Sequence, residues 1–140
     1  MKKFKLLFTA LILALLAGCS STTAIDEKTR SYAKSHQLVG QASWYGNKYH
    51  GKLTASGERF NMRANTAAHR TLPFGTIVRV TNTANNKSVD VKINDRGPFA
   101  KGRVIDLSHR SFAQIGDINK GLAQVKIEII DDSNTFRYKH

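Results

Sequence analysis

The sequence predicts an all-β fold, a small β-barrel with one short helix. Between residues 39 and 131, short stretches of alternating apolar and polar residues recur, each bounded by Gly, Asn or Pro. A period of two is typical of strands with one buried face. The strands are short and numerous, which favours closure into a barrel. The 140 residues suffice for one ordinary domain.

The N-terminal half of this region supplies one strand, a loop and a hairpin. The first strand is Val39–Tyr45, and Gly46–Arg63 has three glycines and no clean period, which predicts a long loop or an irregular hairpin. Thr76–Asn82 and Ser88–Asn94 alternate on either side of the polar turn Thr83–Lys87. This arrangement predicts an antiparallel hairpin.

The C-terminal half supplies two strands and the helix. Val104–Leu107 is a short strand, and Ser108 is a suitable N-cap for a helix over His109–Ile115 that Gly116 closes. Leu122–Ile130 has the clearest alternation of the chain. Its expected inward residues are Ala123, Val125, Ile127 and Ile129.

The first residues indicate export. A basic start is followed by the apolar run Leu6–Leu16, which is too short to span a bilayer comfortably. Leu16-Ala17-Gly18-Cys19 resembles a bacterial lipobox, in which the cysteine is lipidated, and Ser20 is typical of sorting to the outer membrane of a Gram-negative cell. An ordinary signal peptide with a chance cysteine is the alternative. We expect a lipoprotein signal peptide (1–18), a lipidated Cys19 with a polar tether (19–38), the barrel domain (39–131) and a polar tail (132–140).

The charge indicates anionic partners. The formal net charge of +12 falls to +9 without the three lysines of the signal peptide. Such a charge usually suggests nucleic acid, but an exported protein does not meet nucleic acid routinely, so we expect no such partner. Anionic lipid headgroups and the carboxylates of the cell wall remain as partners. Basic residues scattered over a soluble surface are the plain alternative.

The motif KINDRGPF, Lys92–Phe99, places an acid where an aliphatic residue was expected. Asp95 continues the inward phase of the strand 88–94 and directly precedes a bend. A carboxyl group on an apolar face loses water and tends to stay protonated, so Asp95 could act as a general acid in glycosidic cleavage. Alternatively, Asp95 is structural and pairs with Arg96 or Arg103, or caps the turn.

A second carboxyl group and an aromatic cluster extend this hypothesis. Glu58 lies in a polar loop, and glycoside chemistry commonly uses two carboxyl groups, although a lone loop glutamate is more often merely solvated. Trp44, Tyr45 and Tyr49 could stack against sugar faces. Trp44 could equally fill the barrel core.

Other catalytic classes find little support. His50, His69 and His109 could be combined with Asp95 or Asp106, but the spacings match no zinc motif, so we expect no metal. No phosphate-binding loop, serine elbow or cysteine nucleophile is present, and we expect no cofactor. His69 could orient a substrate or a carboxyl group. Asp106, next to the helix cap, is expected to be structural.

Four stretches together resemble the rare lipoprotein A-like (RlpA-like) family. They are GQASWYGNKYHGKLTASGERFN, AAHRTLPFGTIVRVTN, VKINDRGPF and GRVIDLSHRSF, and they extend over about Val39–Ile130. The resemblance implies a six-stranded double-psi β-barrel and an endolytic lytic transglycosylase. Its substrate would be peptidoglycan glycan strands poor in stem peptides, and its products would have 1,6-anhydro-N-acetylmuramic acid ends.

By position, the resemblance implies that Asp95 and Glu58 are catalytic and that His69 belongs to the active site. Asn61 stands where many relatives have aspartate, which puts a carboxylate role there in doubt. The expected substrate-binding residues are His69, Trp44, Tyr45, Tyr49, Arg96 and Asn61. Many relatives also carry a SPOR domain that recruits them to the division septum; none is expected here, so septal targeting does not follow.

The implied mechanism uses Asp95 as the acid. It protonates the β-1,4 glycosidic oxygen between N-acetylmuramic acid and N-acetylglucosamine, and the muramic acid C6 hydroxyl closes the anhydro ring. Glu58 or the ionised Asp95 removes the hydroxyl proton. Two alternatives are an expansin-like protein that binds peptidoglycan without cutting it and a division-associated scaffold. The expected location is the periplasmic face of the outer membrane if the cell is Gram-negative.

Overall fold

Six strands close into one barrel, which confirms the predicted all-β class. The computed structural model describes residues 20–136, so the lipobox at residues 16–19 lies outside the described residues. The strands are β1 (Val39–Trp44), β2 (Thr66–His69), β3 (Ile77–Asn82), β4 (Ser88–Asp95), β5 (Arg103–Leu107) and β6 (Ala123–Asp131), and the helices are α1 (Ser20–Ala33) and α2 (His109–Ala113). Around the barrel the strands follow the order β1-β5-β2-β4-β3-β6.

The strand order interlocks the two halves of the chain. β3 and β4 form the predicted hairpin, with Val78 opposite Val91 and Val80 opposite Val89. β1 pairs with β5 and β2 pairs with β4 in parallel, and these pairs join strands that are far apart in sequence. Parallel partners need long crossover connections, so these pairings could not be deduced from turn signals.

The core confirms the predicted alternation of the strands. The inward residues of β6, apart from the partly buried Ala123, are at most 2% exposed, and the aliphatic inward residues of β4 at most 5%. Burial of one such aliphatic side chain contributes roughly 1.5–3 kcal/mol. The buried aliphatic positions of these two strands are Val125, Ile127, Ile129, Val89, Val91 and Ile93.

Strand β2 was not predicted from the sequence. Its residues TAAH include two alanines and show no alternation, and all four are buried because β2 lies between β5 and β4. Small side chains let the neighbouring layers approach, and alanine has little strand preference of its own. Tertiary packing, more than local strand preference, therefore determines that these residues form a strand.

Helix α2 is shorter than predicted. The predicted cap is confirmed, since the Ser108 hydroxyl accepts a hydrogen bond from the Ser111 backbone N–H at 3.2 Å. The helix ends at Ala113, before the predicted end at Ile115. Gly116 does not close it in a left-handed conformation; a Cβ at Gly116 would instead stand 3.1 Å from the buried Phe112 ring.

The segment expected to be a polar tether, in which Glu27–Ser35 could form a weak helix, contains helix α1, which packs on the barrel. The Lys28 ammonium lies 2.7 Å from Asp132 Oδ1, and the Tyr32 hydroxyl donates to Asp132 Oδ2 at 2.9 Å. Thr29 Oγ1 accepts a hydrogen bond from the Ile129 backbone N–H. A polar helix of this length is marginal by itself, so these contacts stabilise it. Neither α1 nor any other helix within 20–136 has the length and apolar character needed to cross a membrane.

Part of the expected polar tail also packs on the barrel. The Phe136 ring lies 5.9 Å from the Phe74 ring, and the Phe136 backbone N–H donates to the Phe74 carbonyl at 2.9 Å. Gly75 permits this approach: it has a φ of +89°, and a Cβ there would stand 2.3 Å from the Asn134 carbonyl oxygen. Residues 137–140 lie outside the described part of the chain.

His69 fixes the chain where β2 ends. Its ring is 1% exposed, Nδ1 accepts from the backbone N–H groups of Thr71 and Leu72 at 3.1 Å each, and Nε2 lies 2.6 Å from the Gln37 carbonyl. With Nδ1 as acceptor, the Nε2–H must donate to Gln37, which defines a neutral ring. Burial lowers the pKa of His69 to about 4.

The contacts of α1 predict that Asp132→Asn loosens the helix. The variant removes the ion pair with Lys28 and weakens the bond to Tyr32, at a cost of about 1 kcal/mol. Hydrogen exchange of the amides in 20–33 should accelerate roughly fivefold. The matched control is Asp131→Asn, because the Asp131 side chain forms hydrogen bonds with Ser133 and with no other residue within 20–136. Equal exchange in both variants would contradict the docking contact.

The buried neutral His69 predicts a loss of stability in acid. The unfolded ring takes up a proton near pH 6.5 and the folded ring only near pH 4. The contribution of the neutral His69 to the unfolding free energy is therefore complete above pH 6.5 and is lost as the pH falls towards 4. Between pH 7 and pH 4.5, His69 should account for about 2 to 3 kcal/mol of the fall in unfolding free energy. Urea titrations of wild type and His69→Gln measure this difference; identical pH profiles would refute it.

Candidate active site

Asp95 lies at the end of β4, and three donors hold its carboxylate. Oδ1 accepts from the backbone N–H groups of Ala55 and Arg96, each at 2.9 Å, and Oδ2 accepts from the Tyr45 hydroxyl at 2.9 Å. The carboxyl group is half-buried, not enclosed in an apolar environment. Hydrogen bonds therefore fix the orientation of the carboxyl group. These surroundings differ from the apolar face on which the sequence predicted a desolvated acid. The proposed ion pair with Arg103 does not form, since Arg103 bonds to Asp106 at 2.9 Å.

Tyr45 links Asp95 to an aromatic cluster. The Tyr45 ring lies 4.8 Å from the Phe60 ring and 5.9 Å from the Tyr49 ring, the latter edge to face. Burial and the adjacent Asp95 carboxylate raise the pKa of Tyr45 well above its usual value. The hydroxyl therefore stays protonated and remains a donor to Asp95.

Glu58 belongs to the loop that supplies a donor to Asp95. The Lys92 ammonium lies 3.0 Å from the Glu58 carboxylate, and the Asn94 amide donates to Oε2 at 3.4 Å. Lys92 and Asn94 occupy the other phase of β4 from Asp95. The Ser56 backbone N–H also bonds to the Asn94 carbonyl at 3.2 Å. The loop thus lies along the end of β4 and places Glu58 against the strand that ends in Asp95.

Two of the predicted aromatic residues have different surroundings. Tyr49 is 41% exposed and lies in a single 3₁₀ turn, Asn47–Tyr49, so its ring is open to a ligand. Trp44 packs against the core, its Nε1–H donates to the Ile118 carbonyl at 3.3 Å, and its ring meets His109 edge to face at 5.1 Å. The core interpretation of Trp44 therefore fits the structure better than sugar stacking.

His69 and Arg96 support the loop after β2. Both nitrogens of the buried His69 ring bond to the chain itself, so neither is left for a substrate. The Arg96 guanidinium donates to the carbonyls of His69 and Leu72 and lies 3.9 Å from the Phe74 ring centroid. Burial lowers the pKa of Arg96. Direct contact with a substrate therefore does not fit the buried His69 ring, whereas substrate binding by the half-buried Arg96 stays a prediction.

The remaining candidates have simple local roles. Asn61 is exposed, and its Oδ1 accepts from the Arg63 backbone N–H at 2.9 Å, as in an Asx turn. Asp106 accepts from Ser43 and Arg103, as the expected structural role requires. His50 accepts from the Met62 backbone N–H. Within residues 20–136, no three His, Cys, Asp or Glu side chains come together as metal ligands.

Sequence reasoning missed the partners that hold the two carboxyl groups. Lys92 and Asn94 lie inside the motif that drew attention to Asp95, in the other phase of the strand, and Asn94 is buried although the alternation predicts it to face outward. The Ala55 backbone N–H carries no side-chain signal. Only the path of the loop over β4 places it 2.9 Å from Asp95.

Curated relatives share most of the barrel region. An endolytic peptidoglycan transglycosylase RlpA of Neisseria meningitidis is 56% identical over 92 residues, which cover 66% of this chain and 38% of the relative. The protein of the same name from Pseudomonas aeruginosa is 52% identical over 99 residues, covering 71% of this chain and 29% of the relative. The chain thus matches less than two fifths of the length of either relative.

Solved structures support the fold alone. Streptomyces papain inhibitor superposes with a TM-score of 0.55 at 20% identity, covering 69% of this chain and 96% of the inhibitor. A Clavibacter michiganensis expansin superposes with a TM-score of 0.54 at 21% identity, covering 68% of this chain and 50% of the expansin.

Residues 37–127, more than half of the chain, match the family described as lytic transglycolase, whose domain is the double-psi β-barrel. The chain therefore belongs to this lytic transglycolase family, in agreement with the RlpA-like resemblance.

Proposed function

We propose that the protein is an endolytic lytic transglycosylase of peptidoglycan. The observation that carries the proposal is the shared loop: Ala55 bonds to Asp95, and Glu58, three residues later, bonds to Lys92 and Asn94 beside it. Two carboxyl groups held by fixed donors suit glycosidic cleavage. Relatives more than 50% identical over the same region have this activity in their names. The substrate class is glycan strands poor in stem peptides.

Asp95 Oδ2 is the atom that would carry the transferred proton. Each carboxylate oxygen has two acceptor positions. Oδ1 uses both for backbone N–H groups, whereas Oδ2 receives only the Tyr45 hydroxyl among the described residues. A proton on Oδ2 can pass to the glycosidic oxygen between N-acetylmuramic acid and N-acetylglucosamine. The C1–O bond then breaks, and positive charge develops at C1 of the muramic acid.

The second half of the reaction needs a base. The C6 hydroxyl of the muramic acid attacks C1, forms the 1,6-anhydro ring and releases a proton. Glu58 is the proposed acceptor, because Lys92 and Asn94 hold its carboxyl group against the strand that ends in Asp95. Asp95, ionised after the first step, is the alternative acceptor. No water enters the products, which distinguishes this reaction from hydrolysis.

The proposal predicts that both carboxyl groups are essential. Asp95→Asn and Glu58→Gln keep the size of each side chain but remove the proton donor or acceptor, and should lower the rate by about 100-fold or more. The assay is the release of anhydro-ended fragments from peptide-free glycan strands, detected by mass spectrometry. Full activity in Asp95→Asn would overturn the assignment.

Two surface variants serve as matched controls for this prediction. Asp90 pairs with Arg79 on the exposed face of β4, and Glu27 is an exposed residue of α1, so Asp90→Asn and Glu27→Gln should keep wild-type activity. Binding of wild type and Asp95→Asn to sacculi without soluble product would favour the expansin-like alternative. Absence of both product and glycan affinity would favour a scaffold.

We also propose that the protein is exported and lipid-anchored at Cys19, on the periplasmic face of the outer membrane. The basic start, the apolar run Leu6–Leu16 and the small residues before Cys19 support this proposal. Helix α1 begins at Ser20 and packs on the barrel. An anchor at Cys19 would then hold the barrel close to the bilayer.

Lipidation at Cys19 predicts that incorporation of labelled lipid depends on the sulfur atom of this residue. In a Gram-negative host, the wild-type chain should incorporate labelled palmitate and sediment with membranes, whereas Cys19→Ser should do neither, because the thioether cannot form. Cell fractionation and fluorography measure both properties. An unlabelled, soluble wild-type protein would identify an ordinary signal peptide instead.

A further inference from the structure

Two lysines flank the exposed ring of Tyr49. The ammonium groups of Lys48 and Lys52 lie 5.1 and 5.8 Å from the ring centroid, within the range of cation–π attraction. Neither group forms an ion pair or a hydrogen bond with any residue in the described part of the chain. Two neighbouring cations therefore lie at the surface with no anionic partner among residues 20–136.

The backbone that carries these lysines is fixed. The Lys52 backbone N–H donates to the Tyr49 carbonyl at 3.0 Å, and the Lys52 carbonyl accepts from Phe60 at 2.8 Å. Gly51 N–H donates to the Phe60 carbonyl, also at 2.8 Å. Because the loop is already ordered, a ligand bound here would lose little affinity to loop ordering.

A series of contacts through two tyrosines links the lysine pair to the proposed catalytic acid. The Tyr49 ring meets the Tyr45 ring at 5.9 Å, and the Tyr45 hydroxyl bonds to Asp95 at 2.9 Å. One continuous set of contacts thus leads from the acid to the two ammonium groups. A glycan segment positioned for cleavage at Asp95 would extend over this surface.

The local charge indicates that the ligand of this surface is an anion. The segment 46–63 contains four basic residues and one acid, Glu58, which is already paired with Lys92. Lysine binds an anion as a point charge, and an aromatic ring beside it suits the face of a sugar. A sugar that carries a carboxylate combines both features.

We infer that Lys48, Tyr49 and Lys52 form a subsite that binds the free lactyl carboxylate of N-acetylmuramic acid. A stem peptide is joined to this lactyl group through an amide, which removes the charge. The subsite would thus distinguish peptide-free strands from peptide-bearing ones by charge. The inference rests on the proposed function for its substrate and goes beyond it by naming the residues that select the strand.

The test measures binding in the Asp95→Asn background, so that cleavage does not interfere. The two probes are peptide-free glycan strands and the same strands with their carboxylates converted to methylamides. Lys48→Gln/Lys52→Gln should weaken binding to the native strands about fivefold to tenfold and should nearly abolish the preference over methylamide strands. The matched control is Lys101→Gln/Lys120→Gln, which removes two exposed lysines elsewhere and should change affinity less than twofold.

Two results would overturn the subsite. Equal weakening in both double variants would mean that overall charge attracts the strands, and equal binding of native and methylamide strands would mean that the carboxylate is not recognised. A separate assay of the wild-type enzyme for anhydro ends tests the proposed function. A binding preference without product would therefore retain the subsite and reject the catalysis.

Discussion

The contact between the loop around Ala55 and the end of β4 is the constraint on which the site depends. The Ala55 backbone N–H holds Asp95 Oδ1, and the Ser56 backbone N–H holds the Asn94 carbonyl. These bonds fix the loop that carries Glu58 against the strand that carries Asp95. The proposed acid–base chemistry needs such fixed geometry.

The barrel provides the rigid side of this contact. Ile93, the inward residue before Asp95, is fully buried, and β4 is paired on both edges, with β2 and β3. Buried aliphatic residues hold the strand, and its last inward position is given to a carboxyl group. The strand that anchors the core thus also carries the proposed catalytic acid.

Supporting residues can be mistaken for substrate-binding residues when only a motif is known. Arg96 directly follows Asp95 and His69 ends β2, and both form hydrogen bonds with the loop that follows β2. Their bonding atoms face backbone carbonyl and N–H groups, which would otherwise be buried without partners. Such residues maintain the shape of the surrounding loops. A motif therefore identifies these residues but does not show whether they bind substrate or support the structure.

The sequence by itself determined the strands whose residues alternate, the hairpin of β3 and β4, the Ser108 cap and the two candidate acids, because these features depend on neighbouring residues. Only the tertiary structure decided β2, the docking of α1, and the partners Ala55, Lys92 and Tyr45. The physical reason is that these contacts join residues distant in the chain, where pairing and burial outweigh local preference.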